Sequence, residues 1–286
     1  MLKEIKIGIS PNLIDASGFT LTWHSLFGFL GIAIAVYMTA WIAKRKSLVD
    51  EDSVYNVALW AIPAGIIGAK LVHVLDNWGR YSSDPMDILK VWQGGIALLG
   101  GITFGIAAGF IVARVMKLKV GNLADAVAPG MLVGMAIGRI GDIINGEHFA
   151  KATSLPWGVI YTHPENINVS YYYEVANRGA PFAQHPVTGY EFLFDLLLAF
   201  VCFKLIGRLR PAGMVLVLAV LGYSLWRFGI QFLRDDPIKF GQFQEAHLIT
   251  LILIIVLVPV LILKAKFENP PLIPEEPGPK PASKRK

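Results

Sequence analysis

Apolar residues come in long blocks along this chain, broken at short intervals by glycine, proline and charge. A helix needs roughly 20 mostly apolar residues to cross a hydrocarbon core about 30 Å thick, and about seven blocks approach that length. They run from Thr20 to Ile42, Val54 to Leu75, Gly94 to Met116, Leu123 to Ile144, Val187 to Ile206, Ala212 to Leu233 and Leu248 to Leu263. The pattern predicts an all-α, polytopic integral membrane protein of about seven transmembrane helices, with residues 1–268 forming one membrane domain.

The polar breaks predict the orientation. Lys and Arg collect on the cytoplasmic side of short loops. Here Lys44, Arg45 and Lys46 follow the first block, Arg114, Lys117 and Lys119 the third, Lys204, Arg208 and Arg210 the fifth, and Lys264 and Lys266 the seventh. All four groups fall on one side of an odd-numbered topology, so the amino terminus is expected outside and the carboxyl terminus in the cytoplasm.

Composition agrees with a membrane protein and narrows the function. Of 286 residues, 54% are hydrophobic and 16% charged, against about 25% charged in an average soluble domain. The net charge of +5 is spread over span ends instead of forming one patch, so nucleic acid is not an expected partner. Cys202 is the single cysteine; in its apolar run it reads as a buried packing residue, and neither a disulfide framework nor a cysteine metal site is available. Met1 to Ser17 lacks the apolar core of a cleavable signal.

One long loop, residues 145–185, lies outside the membrane and carries Trp157, Tyr161 and the Tyr171 to Tyr173 run, as suits an interfacial subdomain. The tail, residues 269–286, is rich in Pro and Lys and is expected to be a disordered, basic cytoplasmic segment suited to anionic lipid. No inverted repeat is evident, which weakens a secondary-transporter reading.

Charges inside apolar spans cost roughly 3 kcal/mol each and are functional candidates by default. The fourth block ends Gly138-Arg139-Ile140-Gly141-Asp142-Ile143-Ile144-Asn145-Gly146-Glu147-His148, in which Arg139 and Asp142 share a helix face. A mutually neutralising pair and a ligand site fit that spacing equally well. The sixth block ends with Arg227, Gln231 and Arg234 at spacings that set two guanidiniums on one stripe. Three arginines near one interface suit an anionic headgroup, because a guanidinium bonds phosphate oxygens in two places and stays charged; snorkelling to headgroups is the alternative.

The third block opens with the double-glycine pairs Gly94, Gly95 and Gly100, Gly101, which let backbone approach a ligand. Gly101, Gly105 and Gly109 have the spacing of close helix packing. His185, Pro186, Tyr190 and Glu191 open the fifth block and Asp195 follows one turn later; both carboxylates are expected to find hydrogen-bond partners on other helices. Lys70 and His73, at the end of the second block, are read as structural.

Together these motifs resemble the prolipoprotein diacylglyceryl transferase family. The resemblance runs from the first block to the seventh and is most specific from Gly138 to Glu147, continued by Leu155, Pro156, Trp157 and Gly158. Supporting matches are Gly68 to Leu75, the double glycines after Trp92, the His-Pro and Tyr-Glu pairs from His185, and the arginine–phenylalanine element from Arg227. It implies a multi-pass enzyme of the bacterial cytoplasmic membrane whose site faces the outer leaflet. Such an enzyme takes phosphatidylglycerol as donor and the lipobox cysteine thiol of a preprolipoprotein as acceptor, and releases glycerol 1-phosphate. It implies neither a metal nor another cofactor.

On that resemblance Arg139 and Arg227 would stabilise the leaving phosphate, with Arg234 a third candidate, and Asn145, Gly146, Glu147, Gly94, Gly95, Gly100, Gly101, His185 and Tyr190 would line the substrate site. The chain departs from the family pattern at Leu99, where many members have histidine, at His24, where many have tyrosine, at Asp142, where asparagine is usual, and at Ala150, where glycine is usual. A leucine cannot move a proton, so His24, Asp142, Glu147 and His148 become the candidates for acid–base work. A lipid-binding member without catalysis and a transporter of an anionic solute are the competing classes.

Overall fold

The computed structural model describes residues 4–16, 19–82, 84–89, 95, 97–171 and 182–268. Gly94, most of the Tyr171 to Tyr173 run and the tail lie outside those residues. Seven long helices are found among them: α1 (Trp23–Arg45), α2 (Glu51–Asp76), α3 (Leu98–Val115), α4 (Val120–Asn145), α5 (Val187–Leu205), α6 (Met214–Ile230) and α7 (Glu245–Lys264). Six are long and apolar enough to cross a membrane, α6 together with the 3-10 turn Gln231–Leu233 that continues it. The helix outside that set is α5, whose 19 residues include Glu191, Asp195 and Lys204. The chain is thus a helical, multi-pass membrane protein, with a firm count of six candidate spans where seven were expected.

The helix starts follow local chemistry. Thr22 caps α1 by accepting the Ser25 N–H at 3.1 Å, and Asp50 caps α2 by accepting that of Ser53 at 2.8 Å. Pro63, Pro129 and Pro259 sit inside helices, as membrane helices tolerate when neighbouring groups satisfy the freed carbonyl. At the opposite end of the bundle Asp125 accepts the Val215 N–H at 3.0 Å, so a carboxylate of α4 meets the positive start of α6.

The all-α expectation needs one correction. Eight short strands occur among the described residues: β1 (Ile5–Ile7), β2 (Asn12–Ala16), β3 (Phe19–Thr22), β4 (Val159–Tyr161), β5 (Leu209–Arg210), β6 (Ile238–Phe240), β7 (Phe243–Gln244) and β8 (Lys266–Phe267). They form four two-stranded pairs, β1 parallel to β4 and the pairs β2–β3, β5–β8 and β6–β7 antiparallel. All lie beyond helix ends, where the backbone must satisfy its polar groups without a helical ladder.

Between lipid-embedded helices there is little hydrophobic drive, so close contact relies on small residues. Gly130 packs on Ala35 and Thr39, Gly134 on Gly31, and Gly141 on Trp23 and His24, so α4 runs antiparallel along the whole of α1. In the same way Gly65 meets Gly101 and Gly105, and Gly109 meets Val57 and Ala61, joining α2 to α3. The interior around α4 is built from Ala40, Ala43, Ala126, Ala128, Leu132, Ala199 and Cys202, all buried, while Phe29, Leu59, Ile67, Leu99, Ile106, Leu193 and Leu263 point outward. Alternating helix direction carries the end of α4, the start of α5, the end of α6 and the start of α7 to one end of the bundle.

Candidate active site

At that end α4 presents Arg139 and Asp142 and then stops at Gly146, whose φ of +69° is the left-handed conformation glycine adopts without strain. The next residues fold back, and a buried amide clamp holds them. Asn166 donates to the Ile144 carbonyl at 3.2 Å, Asn168 donates to the Gly146 carbonyl at 3.3 Å, and Gln184 donates to Asn168 at 2.6 Å while its own carbonyl accepts the Ala150 N–H at 3.2 Å. Tyr161 adds a bond from its hydroxyl to the Ile143 carbonyl at 3.0 Å. Backbone pairing of Lys151 with Leu233 and of Asp235 with Phe149 then brings this segment against the end of α6.

The result is a continuous set of polar contacts centred on Asp142. His24 Nδ1 donates to Asp142 Oδ1 at 2.7 Å and lies 3.3 Å from Glu147 Oε2. Arg139 Nη1 donates to Asp142 Oδ2 at 3.0 Å. His148 bridges to the next arginine: Nδ1 accepts from Arg234 Nη2 at 2.8 Å, which places the ring proton on Nε2, where it is donated to Asp142 Oδ2 at 3.1 Å. Gly141 makes the α1 contribution possible, since a Cβ there would lie 2.8 Å from His24 Cα and 2.9 Å from the Trp23 carbonyl oxygen.

Glu191 of α5 joins two arginines. It is fully buried and receives Arg227 on Oε1, while Arg139 Nη2 stands 3.1 Å from Oε2 and also donates to Tyr223 at 3.4 Å. Arg234, 3% exposed, donates through Nε to Asp236 at 2.9 Å, and its Nη1 has no hydrogen-bond partner among the described residues. A buried guanidinium N–H without an acceptor is costly unless a ligand supplies one.

Most charged residues singled out in the sequence therefore meet: His24, Arg139, Asp142, Glu147, Arg227 and Arg234. Asn145 is beside them, donating to Glu147 Oε1 at 3.0 Å with its own carbonyl oxygen buried and unpaired among the described residues. The other named residues lie elsewhere. Gly100 and Gly101 form the α2–α3 seam, where a Cβ on Gly100 would overlap the Gly68 carbonyl and Val72. Gly95 takes a left-handed φ of +69° against His73 and Tyr81. His185 is next to Tyr190, with ring centres 6.5 Å apart, and the Tyr190 hydroxyl accepts from the Trp157 indole at 2.8 Å.

One expectation fails outright. Glu191 finds partners on other helices, but neither carboxylate oxygen of the buried Asp195 has a hydrogen-bond partner among the described residues. Tyr223, Asp236 and the amides Asn166, Asn168 and Gln184 were not foreseen. Only Tyr223 carried a signal, standing four residues before Arg227 on its stripe.

Outside the spans, charge environment is clear. Burial alone would raise the Asp236 carboxyl, but the Arg234 charge and hydrogen bond, with the Gln231 amide, hold it below the usual carboxylate range. Burial pushes the Tyr161 phenol up, helped by the Asp142 charge. One ligand atom each from His24, Asp142 and Glu147 falls within 4.8 Å of the others, yet both Asp142 oxygens already accept N–H donors and a guanidinium lies alongside. That donor set fits a hydrogen-bonded carboxylate better than a cation site.

Comparison with known proteins gives the family. The family described as prolipoprotein diacylglyceryl transferase matches residues 11–263. A phosphatidylglycerol–prolipoprotein diacylglyceryl transferase of Thermosynechococcus vestitus is 34% identical over 256 residues, covering 86% of this chain and 89% of the relative. One of the same name from Dehalococcoides mccartyi is 32% identical over 91% of this chain and 96% of its own length, and one from Clostridioides difficile is 32% identical over 82% and 87%. With the match spanning every long helix and the site at their common end, the chain belongs to the prolipoprotein diacylglyceryl transferase family.

Proposed function

We propose that this chain transfers the diacylglyceryl group of phosphatidylglycerol to the thiol of the lipobox cysteine of bacterial prolipoproteins, forming a thioether and releasing glycerol 1-phosphate. The observation that carries the reading is the group of three arginines, the half-buried Arg139 and Arg227 and the buried Arg234, gathered at one end of the bundle with one guanidinium N–H unpaired among the described residues. A phosphate leaving from carbon gains a second negative charge, and donors already aimed at it lower that barrier. Arg139 and Arg227 take this role and Arg234 supplies the free donor. Asn145, Gly146 and Glu147 border the same space, and Gly95, Gly100 and Gly101 shape the α2–α3 side of the bundle. His185, Tyr190 and the exposed Trp157 form an aromatic rim suited to the lipobox peptide.

The same reading makes α5 a seventh span. Its Glu191 is ion-paired inside the bundle and does not face lipid. The Lys and Arg groups after α1, α3, α5 and α7 then face the cytoplasm, and the site faces the outer leaflet of the bacterial cytoplasmic membrane.

Reconstitution tests this. The full chain in phosphatidylglycerol vesicles with a lipobox peptide is expected to yield a diacylglyceryl thioether by mass spectrometry, and Arg139→Ala is expected to lose at least about 10²-fold in rate. Unmodified peptide with the folded, inserted chain, or an Arg139→Ala variant at the normal rate, would overturn the assignment.

A further inference from the structure

The proposed reaction requires a proton acceptor for the thiol, whose reference pKa is about 8.5. The groups at this end of the bundle differ in whether they have a reachable lone pair. His148 has both ring nitrogens engaged, by Arg234 and by Asp142. His73 Nε2 is buried beneath Gly95 and Tyr81, and the oxygens of Asp195 and the Nδ1 of His185 are buried as well. Glu147 accepts from Asn145 on one oxygen and faces His24 with the other. At position 99 stands an outward-facing leucine.

His24 is different. Its side chain is 48% exposed, its Nδ1 proton is committed to Asp142 at 2.7 Å, and among the described residues nothing is bonded to Nε2. An imidazole held through Nδ1–H by a carboxylate presents a fixed Nε2 lone pair, the arrangement by which a base is oriented and its cationic form stabilised. Asp142 is itself fixed from the other side by Arg139 and His148. The charged groups facing His24 are thus Asp142 and Arg139 of α4 and Glu147 after it, with His148 behind Asp142.

We infer that His24 is the base that takes the thiol proton in this chain, with Asp142 as its positioning residue. This rests on the transferase reading above. In the step, the S–H proton passes to His24 Nε2 and the sulfur pair forms the S–C bond to the glyceryl carbon. The C–O bond to phosphate breaks with its electron pair leaving on glycerol 1-phosphate. Asp142 bonds both His24 and Arg139, so one carboxylate sets the distance between the group that accepts the proton and the group that receives the departing phosphate.

The test uses the full chain in phosphatidylglycerol vesicles with a lipobox peptide, following thioether formation from about pH 6 to pH 9. His24→Gln is expected to lower kcat by about 10²-fold or more, to leave KM for the lipid within about twofold, and to make the rate climb with pH towards the thiol's own range. His24→Ala is expected to regain rate when imidazole is added, which a merely structural histidine would not do. Asp142→Asn, which keeps the size of the side chain, is expected to lower kcat without rescue by imidazole. A His24→Gln variant with wild-type rate and pH profile, or a His24→Ala variant that imidazole leaves unchanged, overturns the assignment. If the wild-type chain itself makes no thioether, the transferase reading falls first and this one with it.

Discussion

Glu191 makes a quantitative demand on the structure. It is fully buried and is shared by Arg227 and Arg139, whose side chains are 16% and 14% exposed. Replacing it with the isosteric glutamine changes charge without opening a cavity. Removing one partner of a buried ion pair typically costs about 3–5 kcal/mol, because the surviving charge is left without compensation; here Arg227 loses its carboxylate while Arg139 keeps Asp142. Arg227→Gln should cost less, since Glu191 retains Arg139. The double variant should be more stable than the sum of the two losses implies, with a coupling of at least about 1.5 kcal/mol. Reversible unfolding of the four proteins in mixed micelles, followed by helical circular dichroism, measures each term. A coupling below about 0.5 kcal/mol, the level of a solvent-exposed pair, would refute the claim that these charges form one buried unit.

Three further outcomes follow from the geometry. Gly141→Ala is expected to cost about 1–3 kcal/mol through overpacking and to slow transfer by pushing His24 from Asp142, whereas Gly138→Ala, with nothing within 4 Å of the added carbon, should leave thermal stability unchanged; equal behaviour of the two would count against the contact. Gln184→Ala removes the amide that donates to Asn168 and accepts the Ala150 N–H and should cost about 1–3 kcal/mol, read as faster proteolysis within residues 145–185. Asp236 has a folded pKa below its unfolded value of about 3.9, so its stabilisation is complete above the unfolded value and is lost as pH falls through the folded one. The stability gap between wild type and Asp236→Asn should therefore narrow as pH drops below about 4, and a gap independent of pH would sink the argument.

Much of this was legible in the sequence because a bilayer imposes simple rules. Span length and glycine spacing located the helices and the α2–α3 seam, and the expense of charge in an apolar run pointed to Arg139, Asp142 and Arg227. The reading faltered where the solvent rule ceases to apply. Asn166, Asn168 and Gln184 look like ordinary polar residues of an outer loop, and nothing local reveals that they bury their amides against the end of α4. Asp195 obeys the rule for a functional charge yet lacks the expected partner among the described residues. The double glycines have one sequence signature and two uses, since Gly95 supplies a positive φ and Gly100 a close approach.

The two-sided grip on Asp142 bears on how the site meets a charged substrate. Its oxygens are held by donors from α1, α4 and the clamped segment, and Arg139 is held in turn by Glu191 and Tyr223. In water, dipoles must swing round as a phosphate acquires charge, and that reorganisation forms much of the barrier. On the proposed transferase reading, the donors here were set in place when the chain folded, so little further rearrangement is needed as the bond breaks.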